Sequence, residues 1–362
     1  SMPSMTLGKD SNIVYIVNDN TSSPPAGTLK RYDIVTGAKV EIVKMANTSI
    51  SEAQVSADGQ WLMFVAQVSG QNKLQLVRMD GQFLQTLYCG APSQLQWSTN
   101  QQLVLFVDSG GIYLLNVTNG TLQLEVSSSG TLSIHSRTWL DNTHAYITAQ
   151  FPDSPPQGFS IYLLDTSKGP NQTLQNLQVV FDATTSTPFC WDFDSSYDGK
   201  NLFVSQCSNP SSIGPGGGPA HGPSVITSRF PLGDSSYTYV FVNQSLAFRA
   251  IRAVTSNTLL FLVGNESGDT SQNGLWKVGT DGSNPLRLAS TPGSTNSQFN
   301  QFTQFPWSNV SRDGSKYVLQ IVNYGSTSTT YTLEYGSLSG GSPVVFASIS
   351  NVQLATVGWT TM

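Results

Sequence analysis

Apolar and polar residues alternate along most of the chain in short runs that turn residues separate. The stretch from Ala53 to Tyr88 shows this pattern in full, AQVSADGQWLMFVAQVSGQNKLQLVRMDGQFLQTLY. Such alternation predicts β-strands, and Asp-Gly between apolar runs is a strong hairpin signal. We therefore predict four consecutive antiparallel strands here, with tight turns at Ser56–Gly59 and Met79–Gly81. No stretch of the chain shows the period of an amphipathic helix.

The same four-stranded unit recurs along the chain, and most repeats begin with a recognisable opening strand. The opening segments of five later units are LQWSTN, RTWLDN, CWDFD, IRAVTSN and FPWSNVSRDG. The N-terminal unit lacks such a segment, whereas VGWT near the C-terminus resembles one. Pairing the last strand of the chain with the first gives every unit four strands and leaves only short, protected edges. The sequence thus predicts an all-β fold, a seven-bladed β-propeller of four-stranded antiparallel blades whose ring the C-terminal strand closes.

The predicted propeller is a single domain over residues 11–362, in which residues 352–362 complete the first blade. Residues 1–10 are expected to be a disordered N-terminus, and Ser1-Met2 is typical of an expression-tag remnant. A signal peptide, lipid anchor or transmembrane helix could therefore have preceded Ser1 in the natural protein.

Three segments carry a family resemblance: SADGQWLMF, SYDGKNLFV and SRDGSKYVL. Each is followed by a strand and a second Gly turn, and together they resemble the TolB-like, WD40-like (PD40) propeller repeat. Other units depart from it, with Asn100-Gln101, Asn142-Thr143 and Asn257-Thr258 in place of Asp-Gly. The resemblance implies binding of a protein, peptide or ligand on one face of the disc, usually outside the cytosol. A WD40 assignment proper is weaker, because Trp191-Asp192 lies on an opening strand and not at the end of a third strand.

Composition narrows the range of partners. Charged residues make up 11% of the chain, the formal net charge is −5, and no Lys/Arg block occurs, so a nucleic-acid-binding surface is not expected. No apolar run is long enough to span a membrane. A closed ring has no unpaired edge that would favour dimerisation, so we expect a monomer.

Two of the three cysteines flank a hairpin, CWDFDSSYDGKNLFVSQC. Folding this segment about its midpoint at Tyr197–Lys200 places Cys190 opposite Cys207, which is within disulfide reach. We predict a cross-strand disulfide, and the alternative is two free thiols on adjacent strands. A disulfide would indicate an oxidising compartment, that is, a periplasmic, cell-surface or secreted protein.

Connections within a predicted blade alternate between the two faces of the disc. The first-to-second and third-to-fourth turns are short, whereas most second-to-third connections are long, namely Asn18–Gly27, Phe151–Gly158, Ser208–Pro223, Gly264–Gly274 and Asn323–Thr329. The linker Ser290–Gln304 emerges on the same face. Insertions gathered on one face of a repeat protein usually mark its binding surface, so we predict that a partner binds here. The alternative is sequence drift tolerated in solvent loops.

Five side chains are candidates for ligand or partner binding. His221 lies in a Gly/Pro-rich loop, where the backbone can approach a ligand closely. Asp192 and Asp194 share one side of an innermost strand, where two carboxylates could hold a cation in the central channel or simply solvate its mouth. Phe299 and Phe302 either form an exposed apolar patch or fold under the adjacent blade.

No catalytic residue is predicted. His135 and His144 lie on either side of one hairpin and could approach each other, but no third metal ligand is near them in sequence. We therefore predict no metal site and no cofactor, and leave open only a cation bound in the channel.

These features favour a non-enzymatic extracytoplasmic propeller that binds a protein or peptide partner on the long-loop face. One alternative is a polysaccharide lyase or glycosidase with a channel metal, against which the three dispersed histidines argue. Another is a regulatory propeller detached from a serine peptidase, although the chain has no Gly-x-Ser-x-Gly elbow. Sugar or small-ligand binding is the remaining reading.

Overall fold

The computed structural model describes residues 11–128, 133–150, 159–182, 189–208, 221–232, 236–266, 269–291, 295–299 and 306–361. Twenty-eight strands in these residues form seven four-stranded antiparallel sheets, which are the blades of a seven-bladed β-propeller. The fold predicted from the repeats is confirmed.

The strands of the first half of the ring are, in chain order, β1 (Asn12–Asp19), β2 (Ala26–Asp33), β3 (Lys39–Ala46), β4 (Thr48–Val55), β5 (Trp61–Val68), β6 (Gln71–Arg78), β7 (Gln85–Gly90), β8 (Ser93–Trp97), β9 (Leu103–Asp108), β10 (Gly111–Asn116), β11 (Leu122–Ser127), β12 (Ser133–Trp139), β13 (His144–Gln150), β14 (Phe159–Asp165) and β15 (Gln178–Asp182).

The strands of the second half are β16 (Phe189–Ser195), β17 (Leu202–Ser208), β18 (His221–Arg229), β19 (Thr238–Asn243), β20 (Phe248–Thr255), β21 (Thr258–Val263), β22 (Gly274–Gly279), β23 (Leu286–Ser290), β24 (Thr295–Gln298), β25 (Lys316–Tyr324), β26 (Thr329–Ser337), β27 (Val344–Ser350) and β28 (Gln353–Thr360). Short 3₁₀ helices cover Thr166–Lys168, Leu174–Asn176, Thr270–Gln272 and Pro306–Ser308.

The C-terminal strand closes the ring. Blade 1 has the order β28-β1-β2-β3, whereas blades 2 to 7 each use four consecutive strands, starting with β4–β7 and ending with β24–β27. β28 is therefore the innermost strand of blade 1, paired antiparallel to β1 from Asn12↔Thr360 to Asn18↔Gln353. Trp359 is fully buried in the blade 1 core, as expected for an opening-strand residue.

The tight turns after innermost strands are built by one short hydrogen-bonded motif. Ser56 Oγ donates to Asp58 Oδ1 over 2.5 Å and accepts from the Trp61 amide at 3.0 Å. Gly59 has a φ of 74°, a left-handed conformation that a glycine adopts without strain. Because its polar groups are satisfied inside the turn, this Ser-x-Asp-Gly motif specifies the hairpin and carries no chemistry of its own.

The apolar residues of the strands pack between neighbouring blades. Seven of the eight residues of β5 are apolar, and Leu62, Phe64 and Ala66 are fully buried. The tryptophans of the opening segments are also buried, namely Trp97, Trp139, Trp307 and Trp359. Blade-to-blade packing thus accounts for the regular spacing of large apolar residues.

Blade 7 departs from the sequence prediction. The segment expected to be the linker, Ser290–Gln304, contains β24, and FPWS includes the 3₁₀ helix Pro306–Ser308 where an opening strand was expected. β24 pairs with the far half of β25, whereas Val310 forms an isolated bridge with Tyr317 at its near half. The innermost strand of blade 7 is therefore interrupted. For this reason the sequence pattern placed the start of blade 7 at FPWS, after β24.

Blade 4 also departs from the sequence prediction, because the connection between its third and fourth strands is long and not a tight turn. Residues 166–177 include two 3₁₀ helices, and Gln172 forms a parallel bridge with Val126 on the outer strand of blade 3. The Gln172 side chain donates to Glu125 Oε2 at 3.4 Å. This connection therefore contributes an inter-blade contact that periodicity within one blade could not reveal.

Candidate functional site

The long connections lie together around one part of the ring. They cover residues 20–25, 151–158, 209–220, 264–273 and 325–328, in blades 1, 4, 5, 6 and 7. Blades 2 and 3 have short connections at 69–70 and 109–110. Antiparallel topology puts the strand ends that these connections join on one face, where second strands end and third strands begin, which we call the loop face. The connections of eight or more residues belong to the adjacent blades 4, 5 and 6, and those of blades 1 and 7 have six and four residues.

On the opposite face, the turn face, a segment of blade 7 contacts three other blades. The 3₁₀ helix that contains Trp307 contacts the innermost strands β20, β28 and β4 of blades 6, 1 and 2. Trp307 Nε1 donates to Val55 O over 2.9 Å, and Arg312 donates to Trp359 O at 3.0 Å and to Ser56 O at 3.1 Å. These contacts join blade 7 to the innermost strands of blades 1 and 2.

Carboxylates on innermost strands link one blade to the next. Glu52 on β4 accepts from the backbone amides of Gln94 (2.6 Å) and Leu95 (3.0 Å) on β8. Asp194 on β16 accepts from the Ala253 amide on β20 over 2.8 Å. Both side chains are buried, so these acidic residues supply acceptors to amides that have no strand partner on that side.

Burial changes the protonation of these two groups. It raises the pKa of Glu52 to about 7 and that of Asp194 to about 8, although the backbone hydrogen bonds and, for Asp194, the charge of Arg252 act in the opposite direction. A carboxyl group with a pKa of about 8 is mostly protonated at neutral pH. Asp194 therefore adds little negative charge to the channel.

Asp192 pairs with an arginine instead. Asp192 Oδ2 accepts from Arg252 Nη1 at 2.8 Å and from the Ile251 amide at 3.0 Å. The exposed fractions are 13% for the Asp192 side chain and 6% for that of Arg252. This is a largely desolvated ion pair between blades 5 and 6.

A second arginine lies beside this pair without a hydrogen bond. The guanidinium carbon of Arg137, on β12, is 5.8 Å from the ring centre of Trp191 and 5.7 Å from that of Phe193. Burial lowers the pKa of Arg137, Asp192 raises it and Arg252 lowers it, so all three charges act on one another. Within the described residues Arg137 makes no side-chain hydrogen bond, and its Nε is buried without a partner.

The two arginines lie near the middle of their strands, Arg137 as the fifth of seven residues in β12 and Arg252 as the fifth of eight in β20. β12 begins at Ser133, which pairs with Gln150 at the end of β13, just before the connection 151–158. His135 lies between Ser133 and Arg137 on the same side of the strand, with Nδ1 2.6 Å from Gln94 Nε2 and Nε2 3.0 Å from Ser133 Oγ. A group of polar side chains from blades 3 to 6 thus lies along the innermost strands.

The sequence singled out Asp192 but not the arginines beside it. Arg137 and Arg252 lie on the innermost strands SIHSRTW and FRAIRAVT, in a chain with 17 Lys and Arg residues. The sequence did contain a signal for these arginines, namely a charged residue on a predicted innermost strand. Such a position faces either a neighbouring blade or the channel, where a charged side chain needs a partner.

The other predicted site residues are placed as follows. Phe299 is buried beneath the Arg252 guanidinium, 5.3 Å from ring centre to guanidinium carbon, and so lies in the core and not on an exposed patch. The backbone of His221 begins β18, while its side chain and all of Phe302 lie outside the described residues. The binding roles of His221 and Phe302 stay predictions.

The predicted cysteine hairpin forms with one change of register. Asp192 pairs with Ser205 as folding about the midpoint requires, but a bulge then sets Phe189, not Cys190, opposite Cys207. Cys207 is buried and disulfide-bonded, and Cys89 is exposed and free. The Cys190 side chain lies outside the described residues, so its pairing with Cys207 stays a prediction.

The two histidines of the fourth blade are not brought together. His135 contacts Gln94, whereas His144 Nδ1 is 2.9 Å from Asp141 Oδ2 and its Nε2 is 3.6 Å from Asp165 Oδ2. Among the described residues, no group of three or more His, Cys, Asp and Glu side chains is arranged to hold a metal ion. No helix in the described part of the chain has the length and apolarity needed to cross a membrane.

Solved propellers share this fold at low sequence identity. The β-propeller domain of the Trilobed protease from Pyrococcus furiosus has a TM-score of 0.56 at 8% identity, over 94% of this chain and 95% of that one. Uncharacterized protein lmo1340 from Listeria monocytogenes EGD-e has a TM-score of 0.52 at 12% identity, over 80% and 84%.

TolB from Acinetobacter baumannii has a TM-score of 0.49 at 14% identity, over 76% of this chain, which spans 63% of that protein. No protein-family model and no curated protein sequence matches the chain. These likenesses therefore show the fold alone, and assignment of the repeats to the PD40 family stays a prediction.

Proposed function

We propose that this chain is a non-enzymatic, extracytoplasmic propeller that binds a protein or peptide partner on the loop face. The observation that carries the proposal is the asymmetry of the two faces. On the loop face the connections 151–158, 209–220 and 264–273 have eight, twelve and ten residues, whereas most turns on the opposite face have six residues or fewer and several are internally hydrogen-bonded. Loops held by a rigid scaffold are the usual place for recognition residues.

Hydrogen bonds join the described residues at the two ends of one connection on this face. In the connection 264–273, the Asn265 amide donates to Asn273 Oδ1 over 2.8 Å, and Asn265 Nδ2 donates to Asp269 O over 2.9 Å. A loop whose polar groups are satisfied internally loses less conformational entropy when a partner binds. This order supports recognition of a partner by preformed loops.

The extracytoplasmic location is proposed on the cysteines. Cys207 is disulfide-bonded, and structural disulfides persist mainly in oxidising compartments. Only 11% of the residues in the chain are charged, which suits a protein whose contacts depend on amides and hydroxyls.

Paired loop variants test the proposal. The parent chain is immobilised and exposed to an envelope extract of the source organism, beside a variant in which residues 211–222 are replaced by a short Gly-Ser linker. The control variant shortens the turn at Ser339–Ser342 on the other face, where Gly340 and Gly341 have open space around them. We expect a protein retained by the parent and the control but lost from the loop-face variant.

Two results would contradict the proposal. One is a partner that both variants retain equally, since binding would then lie elsewhere. The other is no retained partner together with a melting temperature that EDTA lowers, which would favour the lyase-like alternative with a channel metal.

A further inference from the structure

The outer strand of blade 5, β19, is an open sheet edge with an apolar surface. Blade 5 has the order β16-β17-β18-β19, so within the described residues β19 pairs with β18 alone. The strand and its connection from β18 expose five large apolar side chains, Phe230 (62%), Leu232 (62%), Tyr237 (50%), Tyr239 (65%) and Val242 (48%). These side chains lie on one hairpin at the rim of the disc.

A bulge decides which side chains of β19 reach the core. The pairing of β19 with β18 shifts by one residue at Val240. Val240 and Phe241 both pack on the apolar core between blades 5 and 6. Tyr239 instead contacts Tyr237 edge to face, with ring centres 5.6 Å apart and an interplanar angle of 87°. The aromatic residues that the core does not use therefore remain in solvent, side by side.

The edge of β19 lacks the charges that other outer strands carry. Natural sheets commonly protect an exposed edge with charged residues or proline. Four outer strands have charged residues, namely Lys39, Glu41 and Lys44 on β3, Glu125 on β11, Asp182 on β15 and Arg287 on β23. Residues 236–248 contain neither a charged residue nor a proline. The outer strands β7 and β27 are also uncharged, but neither has an exposed aromatic side chain.

We propose that β19 is a self-association site, at which a second copy of this chain adds its own β19 in antiparallel pairing. In a two-fold contact the same strand lies on both sides, so a charge on it would lie near its own copy and repel it. An uncharged strand avoids this repulsion, which is why a second copy suits this edge. Pairing also satisfies the outward backbone amides and carbonyls of both strands.

The exposed apolar area indicates the strength of this dimer. At about 200 Å² for each aromatic side chain, Phe230, Tyr237 and Tyr239 expose roughly 350 Å² per chain. With Leu232 and Val242 added, two copies can bury at most roughly 1,000 Å², about the least that a specific interface needs. The dimer is therefore weak, with a Kd of about 10 µM to 1 mM, and the dilute chain is the expected monomer. Closure of the ring pairs the innermost strands of blade 1 and leaves this outer edge open.

Sedimentation velocity of the full chain over a range of concentrations tests the proposal. Cys89 is exposed and free, so every measurement uses the C89S background, which cannot form a disulfide between copies through this residue. We expect a sedimentation coefficient that rises with concentration from the value of the monomer towards that of a dimer, and no larger species.

Two substitutions on β19 and one matched control accompany this measurement. Y239K and V242K each place a lysine on the edge of both copies. V344K places the same charge at a position of β27 that is 45% exposed, on an outer strand that is also uncharged. We expect a Kd about 10- to 100-fold weaker in Y239K and V242K and unchanged in V344K. Melting curves show that each variant is folded, and either β19 variant provides the test if the other is not.

Amide hydrogen exchange locates the contact. Peptides that cover residues 236–245 should exchange more slowly in concentrated than in dilute solution, whereas peptides that cover 343–351 should exchange equally in both. The proposal is overturned by a chain that stays monomeric at the highest concentration, or by a dimer that Y239K and V242K leave unchanged. Weakening by V344K to the same extent, or slower exchange that does not include β19, would overturn it as well.

Discussion

At the scale of single residues, buried carboxyl groups act as hydrogen-bond acceptors between blades. Asp194 accepts from the Ala253 amide of the next innermost strand, and Glu52 does the same for Gln94 and Leu95. An innermost strand has no further strand to pair with on its inner side. Acidic side chains at alternate positions satisfy some of its amides and fix the spacing of neighbouring blades.

The raised pKa values of these groups predict that stability falls as pH rises from about 4 to about 8 and then levels off. The folded chain keeps the Asp194 proton up to a pKa of about 8, whereas the unfolded chain releases it near 3.8. Because the folded state binds more protons in this window, the free energy of unfolding decreases with pH, by at most about 1.4 kcal/mol per pH unit for this group. Glu52 acts in the same direction up to a pKa of about 7.

Urea unfolding between about pH 6.5 and pH 8.5 measures this slope. The lower limit keeps the titration of His135 out of the measurement. Burial lowers the pKa of His135, so this residue destabilises the fold only when the pH is below 6.5, the ordinary pKa of histidine. D194N should flatten the slope, since the amide mimics the protonated carboxyl. D80N should leave it unchanged, because the exposed Asp80 already titrates at a pKa of about 2. The same slope in D194N and in the parent would refute this account.

At the scale of the element, the hairpins are specified locally. In β16 and β17 a Ser196–Asp198 contact of 2.7 Å and a positive φ at Gly199 fix the turn, and the register follows from it up to Asp192↔Ser205. Beyond that point a bulge shifts the pairing by one residue. Similar shifts occur in the first strand pairs of blades 2, 3, 4 and 6, so the bulge belongs to the innermost strand as an element.

The cysteines of this hairpin are predicted to form one disulfide. Alkylation of the unreduced, denatured chain should add a single adduct at Cys89, and two further adducts should appear only after reduction. Peptide mapping of the oxidised chain should recover Cys190 and Cys207 in one linked fragment. Three adducts without reductant, read from the intact mass, would rule the disulfide out.

At the scale of the whole molecule, stability depends on closure of the ring. β28 pairs with the whole length of β1, and Thr360 Oγ1 donates to Gly59 O over 2.6 Å in the adjacent blade. Gly358 allows the close approach of blade 7, because an added Cβ would lie 2.9 Å from Trp307 O. The C-terminal strand therefore joins three blades at once.

Removal of residues 352–362 should open the ring. It would expose the inner edge of β1 and remove Trp359, whose burial alone is worth about 3 to 5 kcal/mol. We expect a chain that melts without a cooperative transition and self-associates through the exposed edge, as seen by calorimetry and size-exclusion chromatography. Removal of Thr361 and Met362 alone is the control. A monomeric truncated chain with the parent melting temperature would contradict closure by β28.

The sequence by itself determined the repeat, the number of blades and the strand that closes the ring. It could do so because apolar–polar alternation and Asp-Gly turns reflect local backbone preferences. The tryptophans of the opening strands reflect burial between blades. It also indicated the loop face, since antiparallel topology alone assigns each connection to one side.

Only the tertiary structure decided which polar residues meet across the channel. Arg137, Asp192 and Arg252 belong to three blades, and no local pattern relates positions so far apart in the chain. The interrupted strand of blade 7 and the buried position of Phe299 were likewise settled by packing against neighbouring blades. Side-chain chemistry at the channel depends on ring geometry, which sets the distances between innermost strands and is not encoded in any single repeat.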